Sequence, residues 1–261
     1  MAFQMLFFIL CAIIILVIII MKINFFSVTF WFNIFDKHTD ILNEFREKLS
    51  DEYKNFNIKN TSDNLVMPII TAINNKKMTN IQMSQINLQY NMDNVTLDDF
   101  ENFKTKVLQI FDILTLFNIK VLHTSLFINS EMISDNALEI LTTNTLNKNI
   151  TGEDLVDATI KLGKKEEDLF YKIISLINKK QIKLPKKVDE LGRIVPVPLI
   201  SWNGTLIENE LIEISYEIND KYSFDFSKNY NTTEFFLNKM LYLLKNNYES
   251  DIQNLLENGK F

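Results

Sequence analysis

A chain of 261 residues, 47% hydrophobic and 23% charged, has enough apolar material for the buried core of one large or two small domains, which excludes a disordered chain. Its formal net charge of −6 excludes nucleic-acid binding over the whole surface, because displacing phosphate counterions takes concentrated Lys and Arg. The one cysteine, Cys11, falls inside an apolar segment, so the rest of the chain holds no disulfide, no thiolate zinc site and no cysteine nucleophile.

From Ala2 to Met21 there is no charged side chain. About 20 apolar residues at a rise of 1.5 Å cross a hydrocarbon core of about 30 Å, so residues 1–21 read as a single transmembrane anchor. A signal peptide fits less well, since no basic n-region precedes the segment and no Ala-x-Ala site follows it. Lys22 and Lys37 follow the segment and only the α-amino group precedes it, which puts the domain at 22–261 on the cytoplasmic side. The alternative is a soluble product that starts at Met21, "MKINFFSVTFWF".

Phe26, Val28, Phe30, Phe32 and Ile34 alternate with Ser27, Thr29, Trp31 and Asn33, the period of two of a half-buried strand. Phe25 and Trp31, on the sparser face beside the anchor, read either as an interfacial belt with Lys22 or as a second buried face. Leu42, Phe45, Leu49 and Tyr53 then fall three or four apart, which predicts an amphipathic helix capped at Thr39 or Asp40. Leu65 to Ala72 reads as a short edge strand containing Pro68, and Ile86 to Met92 as a strand with one wet face.

Thr96-Leu-Asp-Asp99 resembles a capping box and opens a long helix with its stripe at Phe100, Phe103, Val107, Ile110, Phe111, Leu114 and Phe117. Ile119 to Asn129 is the next strand. Shorter helices are predicted around Asn136 to Leu146, Glu153 to Leu162 and Glu166 to Ile177. "KKQIKLPKK", residues 179–187, reads as an extended basic connector, and Asn203-Gly204 as a type I′ turn joining Val195–Trp202 to Leu206–Ile218 in a hairpin. A last helix carries Phe236, Met240, Leu243, Leu244, Tyr248, Ile252 and Leu255 and stops at Gly259. The mixture predicts an α+β fold, a mostly antiparallel sheet with helices packed on one face, and shows no tandem repeat.

The order of "FFSVTFWFNIF", "IQMSQINLQYNMDNVTLDDFENF", "LFIN" at Leu126 to Asn129, "LIEISYEI" and "FFLNKMLYLLKNNYESDIQNLL" resembles a sporadically distributed, uncharacterised family of prokaryotic α+β proteins over Lys22 to Phe261. The chain departs from that family in lacking arginines and a glycine in the strand at Val121 to Asn129. The resemblance implies a fold and a prokaryotic or viral origin, and no activity.

The chemistry-bearing residues are sparse. Of two histidines, His38 lies near a helix start and His123 in a strand with no acid or nucleophile identifiable beside it, so both read as structural and no His-rich metal site exists. Acids cluster at Asp98/Asp99/Glu101, Glu153/Asp154/Asp157 and Glu166/Glu167/Asp168, all in predicted first turns, where the helix dipole favours them. A carboxylate-dependent metal hydrolase would need three of them to converge on Mg²⁺. Five glycines form no phosphate loop, and no cofactor is expected. Glu213, Ser215 and Glu217 share one face of a strand, a solvated face or an open binding surface. Lys179, Lys180, Lys183, Lys186 and Lys187 form a solvated stretch or, on a bilayer, a surface for anionic headgroups at about 1 kcal/mol each. The expectation is a membrane-anchored, non-catalytic domain that binds another protein. The alternatives are a soluble prokaryotic or viral accessory protein linked to host defence, or the metal hydrolase.

Overall fold

The computed structural model describes residues 21–59, 64–134, 137–145, 158–166, 169–183, 186–188, 194–196, 207–221 and 230–261. The elements run β1 (Met21–Phe32), α1 (His38–Lys48), β2 (Phe56–Ile58), β3 (Ile70–Asn74), β4 (Thr79–Met83), β5 (Asn87–Asp93), α2 (Phe100–Leu116) and β6 (Val121–Ile133). A helical turn at Ala137–Glu139 continues as a π-helix over Ile140–Thr145. The chain then forms β7 (Thr159–Glu166), β8 (Phe170–Lys183), β9 (Lys186–Val188), β10 (Ile194–Pro196), β11 (Ile207–Asn219) and α3 (Glu234–Asn258).

Nine strands form one sheet in the order β2-β3-β4-β5-β1-β6-β11-β8-β7, while β9 and β10 pair separately. Every pairing is antiparallel. The fold is α+β, as the mixture of periods predicts. Its topology also contains a repeat that the residues conceal. From the central pair β1 and β6, the first half runs outward through β5, β4 and β3 and the second through β11, β8 and β7. Each half has the chain order strand, helical segment, three strands of the sheet, long helix, with β2 and the β9/β10 pair as additions. A core position asks only for apolar volume, so two copies of one topology need share no residue identities.

The helices cover one face. Phe26 on β1 packs edge-on against Phe100 at 5.4 Å between ring centroids and tilts against Phe103 at 5.3 Å, both on α2. Tyr90 on β5 stacks on Phe103 at 5.7 Å, and Phe30 meets Phe111 at 5.8 Å. On the other half Tyr216 of β11 meets Tyr248 of α3 edge-on, and Phe170 of β8 meets Phe236. Each buried ring contributes about 1.5–3 kcal/mol from area alone, and each pair about 0.5–1.5 kcal/mol more.

The long helices match their sequence signals. The capping box is formed, with the Thr96 amide and hydroxyl donating to Asp99 Oδ2 at 2.9 and 3.1 Å, and the predicted α2 stripe is buried from Phe100 to Leu114. Thr233 Oγ1 accepts from the Phe236 amide to cap α3, and Gly259 closes it at φ 61°, the left-handed conformation a glycine takes freely.

Several expectations differ from what is seen. The helices expected over Glu153 to Leu162 and Glu166 to Ile177 are, where described, strands β7 and β8. Leu169, Phe170, Ile173, Ile174 and Ile177 fit a helical stripe, yet the ladder from Ile207–Lys183 to Asn219–Tyr171 makes the segment a strand. The basic connector at 179–187 is extended, but Lys179 to Lys183 end β8 and are hydrogen-bonded into the sheet, while Lys186 and Lys187 belong to β9. Of the hairpin partner expected for β11, Val195 and Pro196 lie in β10 and pair with β9, while the described neighbours of β11 are β6 and β8; residues 197–206, with Asn203-Gly204, lie outside the described residues. Finally, α1 begins at His38 with no side-chain cap, one residue ahead of Thr39. The short strands β2 and β4 are not among the predicted elements, although Thr79, Ile81 and Met83 alternate with Asn80 and Gln82 in β4, and the edge strand expected from Leu65 begins at Ile70 and lies between β2 and β4.

The anchor expected over residues 1–21 falls outside the described residues except for Met21, which opens β1. Among the described residues no helix is long and apolar enough to cross a membrane.

Two outcomes test this packing. Phe103→Ala removes the ring shared by Phe26, Phe100 and Tyr90 and is expected to cost about 3–5 kcal/mol, read as a shift of the urea midpoint at unchanged slope. His38 is 4% exposed, and its Nε2 has no hydrogen-bond partner among the described residues. Burial pushes the imidazole below its ordinary 6.5, against the opposing pull of backbone hydrogen bonds at Asp36 and Ser84. The unfolded chain therefore takes the proton first as pH falls, so stability is whole above 6.5 and declines below it. His38→Gln is expected to flatten that decline, by at most about 1.4 kcal/mol per pH unit, in denaturation series from about pH 7.5 to about pH 5.5.

Candidate functional site

Because strand side chains alternate, the face away from the helices is spelled by every second residue, and register decides what becomes adjacent. Phe25 faces Asp93 on β5 and Asn129 on β6, and Asn129 faces Ser215 on β11. One row along, Ser27 stands between Asn91 and Phe127, and Phe127 faces Glu217. Glu213 faces Glu131, and Trp31 stands between Asn87 and His123. A bulge between Ile23 and Phe25 inserts Asn24, which returns Phe25 to this face and sends the Asn24 amide to Asn129 Oδ1 at 2.9 Å.

The polar side chains bond one another across the strands. Asn91 donates to Asn80 at 3.0 Å, and Gln89 to Asn91 at 3.1 Å. Glu217 accepts from Ser125 at 2.5 Å and from Asn219 at 2.7 Å. Glu213 holds the Lys179 ammonium and accepts from Asn129 at 3.4 Å, while Lys22 pairs with Glu131 at 2.9 Å. This lattice satisfies most of the polar groups of the face, with Trp31 at 36% exposure its most open aromatic among the described residues and Phe25 and Phe127 half-buried farther along it.

The sequence-expected residues Glu213, Ser215, Glu217, Lys179, Lys22, Phe25 and Trp31 thus share one face, although β1 and β11 are separated by β6. They are not all neighbours. Lys22 and Phe25 lie near one end of β1, and Trp31 is about 30 Å from Lys22 at about 3.3 Å per residue. Lys180 and Lys183 occupy β8 opposite Glu210 and Ile207, and Lys186 and Lys187 occupy β9 opposite Pro196 and Val195.

Two polar centres escape sequence reading because their members are far apart in the chain. His123 Nδ1 lies 2.6 Å from Asp220 Oδ1. Asp220 is fully buried and also accepts from the Thr124 amide, Thr232 and Tyr230, at 2.7, 2.5 and 2.8 Å. Burial, reinforced by the Asp220 charge, drives the Tyr230 phenol far above its ordinary range. The nearest serine along the strand, Ser125, donates to Glu217, so a serine–histidine–acid relay is not assembled here. The centre is a tether joining β6, β11 and the approach to α3.

The second centre is Lys172, 3% exposed on the helical face of β8, which pairs with Asp251 of α3 at 2.6 Å and Glu166 of β7 at 2.9 Å. Tyr216 donates to the same Asp251 at 2.6 Å. Burial works against the ammonium, but hydrogen bonds to Asp251 and Glu166 outweigh it and hold its pKa above 10.5.

The acid clusters are otherwise occupied. Asp99 caps α2, Glu101 pairs with Lys245 at 2.7 Å, and Glu166 holds Lys172. Residues 153, 154, 157, 167 and 168 lie outside the described residues. Among the described residues no three or more His, Cys, Asp or Glu converge as a metal site. No protein-family model matches the chain, and comparison with curated proteins finds no match.

Lys172→Met leaves two carboxylates in the interface without their cation and is expected to cost about 3–5 kcal/mol. Removing Asp251 as well by Asp251→Asn is expected to lose less than the sum of the single changes, a coupling read from urea denaturation of all four chains in the cycle.

Proposed function

We propose that the chain is a membrane-anchored, non-catalytic domain that recognises another protein through the face of the sheet away from its helices. The observation that carries this reading is the mixture on that face of aromatic side chains, Phe25, Trp31 and Phe127, with the polar lattice around Glu213, Ser215 and Glu217. Aromatic residues set in a polar surround are the anchors around which protein interfaces concentrate their energy. The lattice supplies donors and acceptors already held in place, so a partner loses little side-chain freedom in ordering them.

The anchor is supported by residues 2–21, which carry no charge over a bilayer's thickness. With β1 starting at Met21 in the middle of the sheet, a helical anchor there would deliver the membrane to the Lys22 end of the face and leave the Trp31 end for the partner.

Photo-crosslinking tests this reading on the full chain. A crosslinker at Trp31 is expected to capture a discrete partner that the same group at Tyr242, 66% exposed on α3, does not. Trp31→Ala is expected to weaken the complex by about 2 kcal/mol or more, about thirtyfold. Equal capture from both positions, or unchanged affinity in Trp31→Ala, removes the face from the interaction. An alkaline-carbonate wash that releases the chain from membranes removes the anchor.

A further inference from the structure

On the sheet face away from the helices, the part built from β1 to β5 carries two adjacent rows without a charged side chain. The strand registers lay Asn57, Thr71, Gln82, Gln89 and Thr29 side by side across five strands. The next row is Ile73, Asn80, Asn91 and Ser27. With about 4.8 Å between strands, the longer row spans about 19 Å.

The two rows are bonded differently. In the shorter one Asn91 donates to Asn80, and Gln89 reaches across from the longer row to Asn91 and Ser27. In the longer one the side chains of Asn57, Thr71, Gln82 and Thr29 form no hydrogen bond among the described residues. Asn57 is exposed and the other three are half-buried, so their amides and hydroxyls open to solvent. One row along from Thr29 stands Trp31, 36% exposed and opposite Asn87.

This chemistry narrows the ligand. A phosphate-bearing ligand needs cations and a charged peptide needs counter-charges, and neither row supplies them. A peptide strand joins a sheet at its edge, where backbone groups are unpaired, whereas a face offers side chains alone. A primary carboxamide presents two donors and an acceptor in one plane, and a hydroxyl both donates and accepts. The complement is an uncharged molecule with hydroxyls repeated along its length and an apolar ring face to lie on the indole.

We propose that the row from Asn57 to Thr29 binds a neutral oligosaccharide, with Asn57, Thr71 and Gln82 bonding its hydroxyls and Trp31 stacking on the sugar ring at the Thr29 end. The site adds a ligand class to the face on which a protein partner is proposed above, and only Trp31 is common to the two.

Titration calorimetry of the full chain, in a detergent without a sugar headgroup, tests this with cellotetraose, maltotetraose and chitotetraose as neutral probes. Tetragalacturonate serves as the anionic counterpart, and an acetylated, amidated serine-threonine peptide as the neutral peptide. The expected result is saturable binding of at least one neutral tetrasaccharide and weaker or no binding of the other two probes. Gln82→Ala combined with Thr71→Val is expected to weaken that binding by about tenfold or more. This pair leaves Trp31 in place, so its outcome is independent of the protein partner. Asn57→Ala, at the exposed end of the row, is expected to weaken binding severalfold. Thermal melts of the variants check that the fold is retained. Absence of saturable heat with all three neutral sugars, equal or tighter binding of tetragalacturonate or of the peptide, or unchanged affinity in both variants overturns the proposal.

Discussion

The insertion of Phe26 against Phe100 and Phe103 is the contact on which the rest of the molecule depends. It seats α2 over the centre of the sheet, and β1 is the strand that joins the two halves. Once α2 is seated, Tyr90 is carried under Phe103, and the capped first turn of α2 is brought to the ends of β4 and β5. The opposite face is left to side chains that bond one another.

The two halves solve the same problem with different chemistry. In the first, stacked and edge-on aromatic rings form the centre of the contact between sheet and helix, with the Lys106–Glu52 pair and Thr79 at its border. In the second, a tyrosine pair between Tyr216 and Tyr248 is backed by the Lys172, Glu166 and Asp251 network, which places charge inside the interface. Ionic pairing is directional where ring packing is not, so Lys172 specifies the position of α3 along β8 at the cost of desolvating three charges. Asp220 does similar work at the other end of α3, accepting four hydrogen bonds that draw the segment at Tyr230 to Thr232 onto β6.

A sheet of nine antiparallel strands with no helix on its second face among the described residues needs protection against non-specific association. The lattice from Asn80 to Lys179 provides it, since its polar side chains bond one another within the sheet and Glu131 and Glu213 are paired with Lys22 and Lys179.

Much of this was legible in the sequence, and the failures have one cause. Local signals determined β1, β5, β6, α2 and α3, because the period of an apolar stripe, the Thr96–Asp99 box and the Thr233 and Gly259 caps are properties of a few adjacent residues. The alternation of Glu213, Ser215 and Glu217 likewise revealed a polar face. The tertiary structure alone decided that Thr159–Glu166 and Phe170–Lys183 are strands, because the apolar run at Phe170 to Ile177 satisfies both periods and only the ladders with β11 and β7 choose between them. It alone brought His123 to Asp220 and Lys172 to Asp251, and it alone laid Phe25 and Trp31 on the face that carries Glu213. Pairing between strands distant in the chain is set by register and by the summed burial of a whole face, and neither quantity is written in any short stretch of residues.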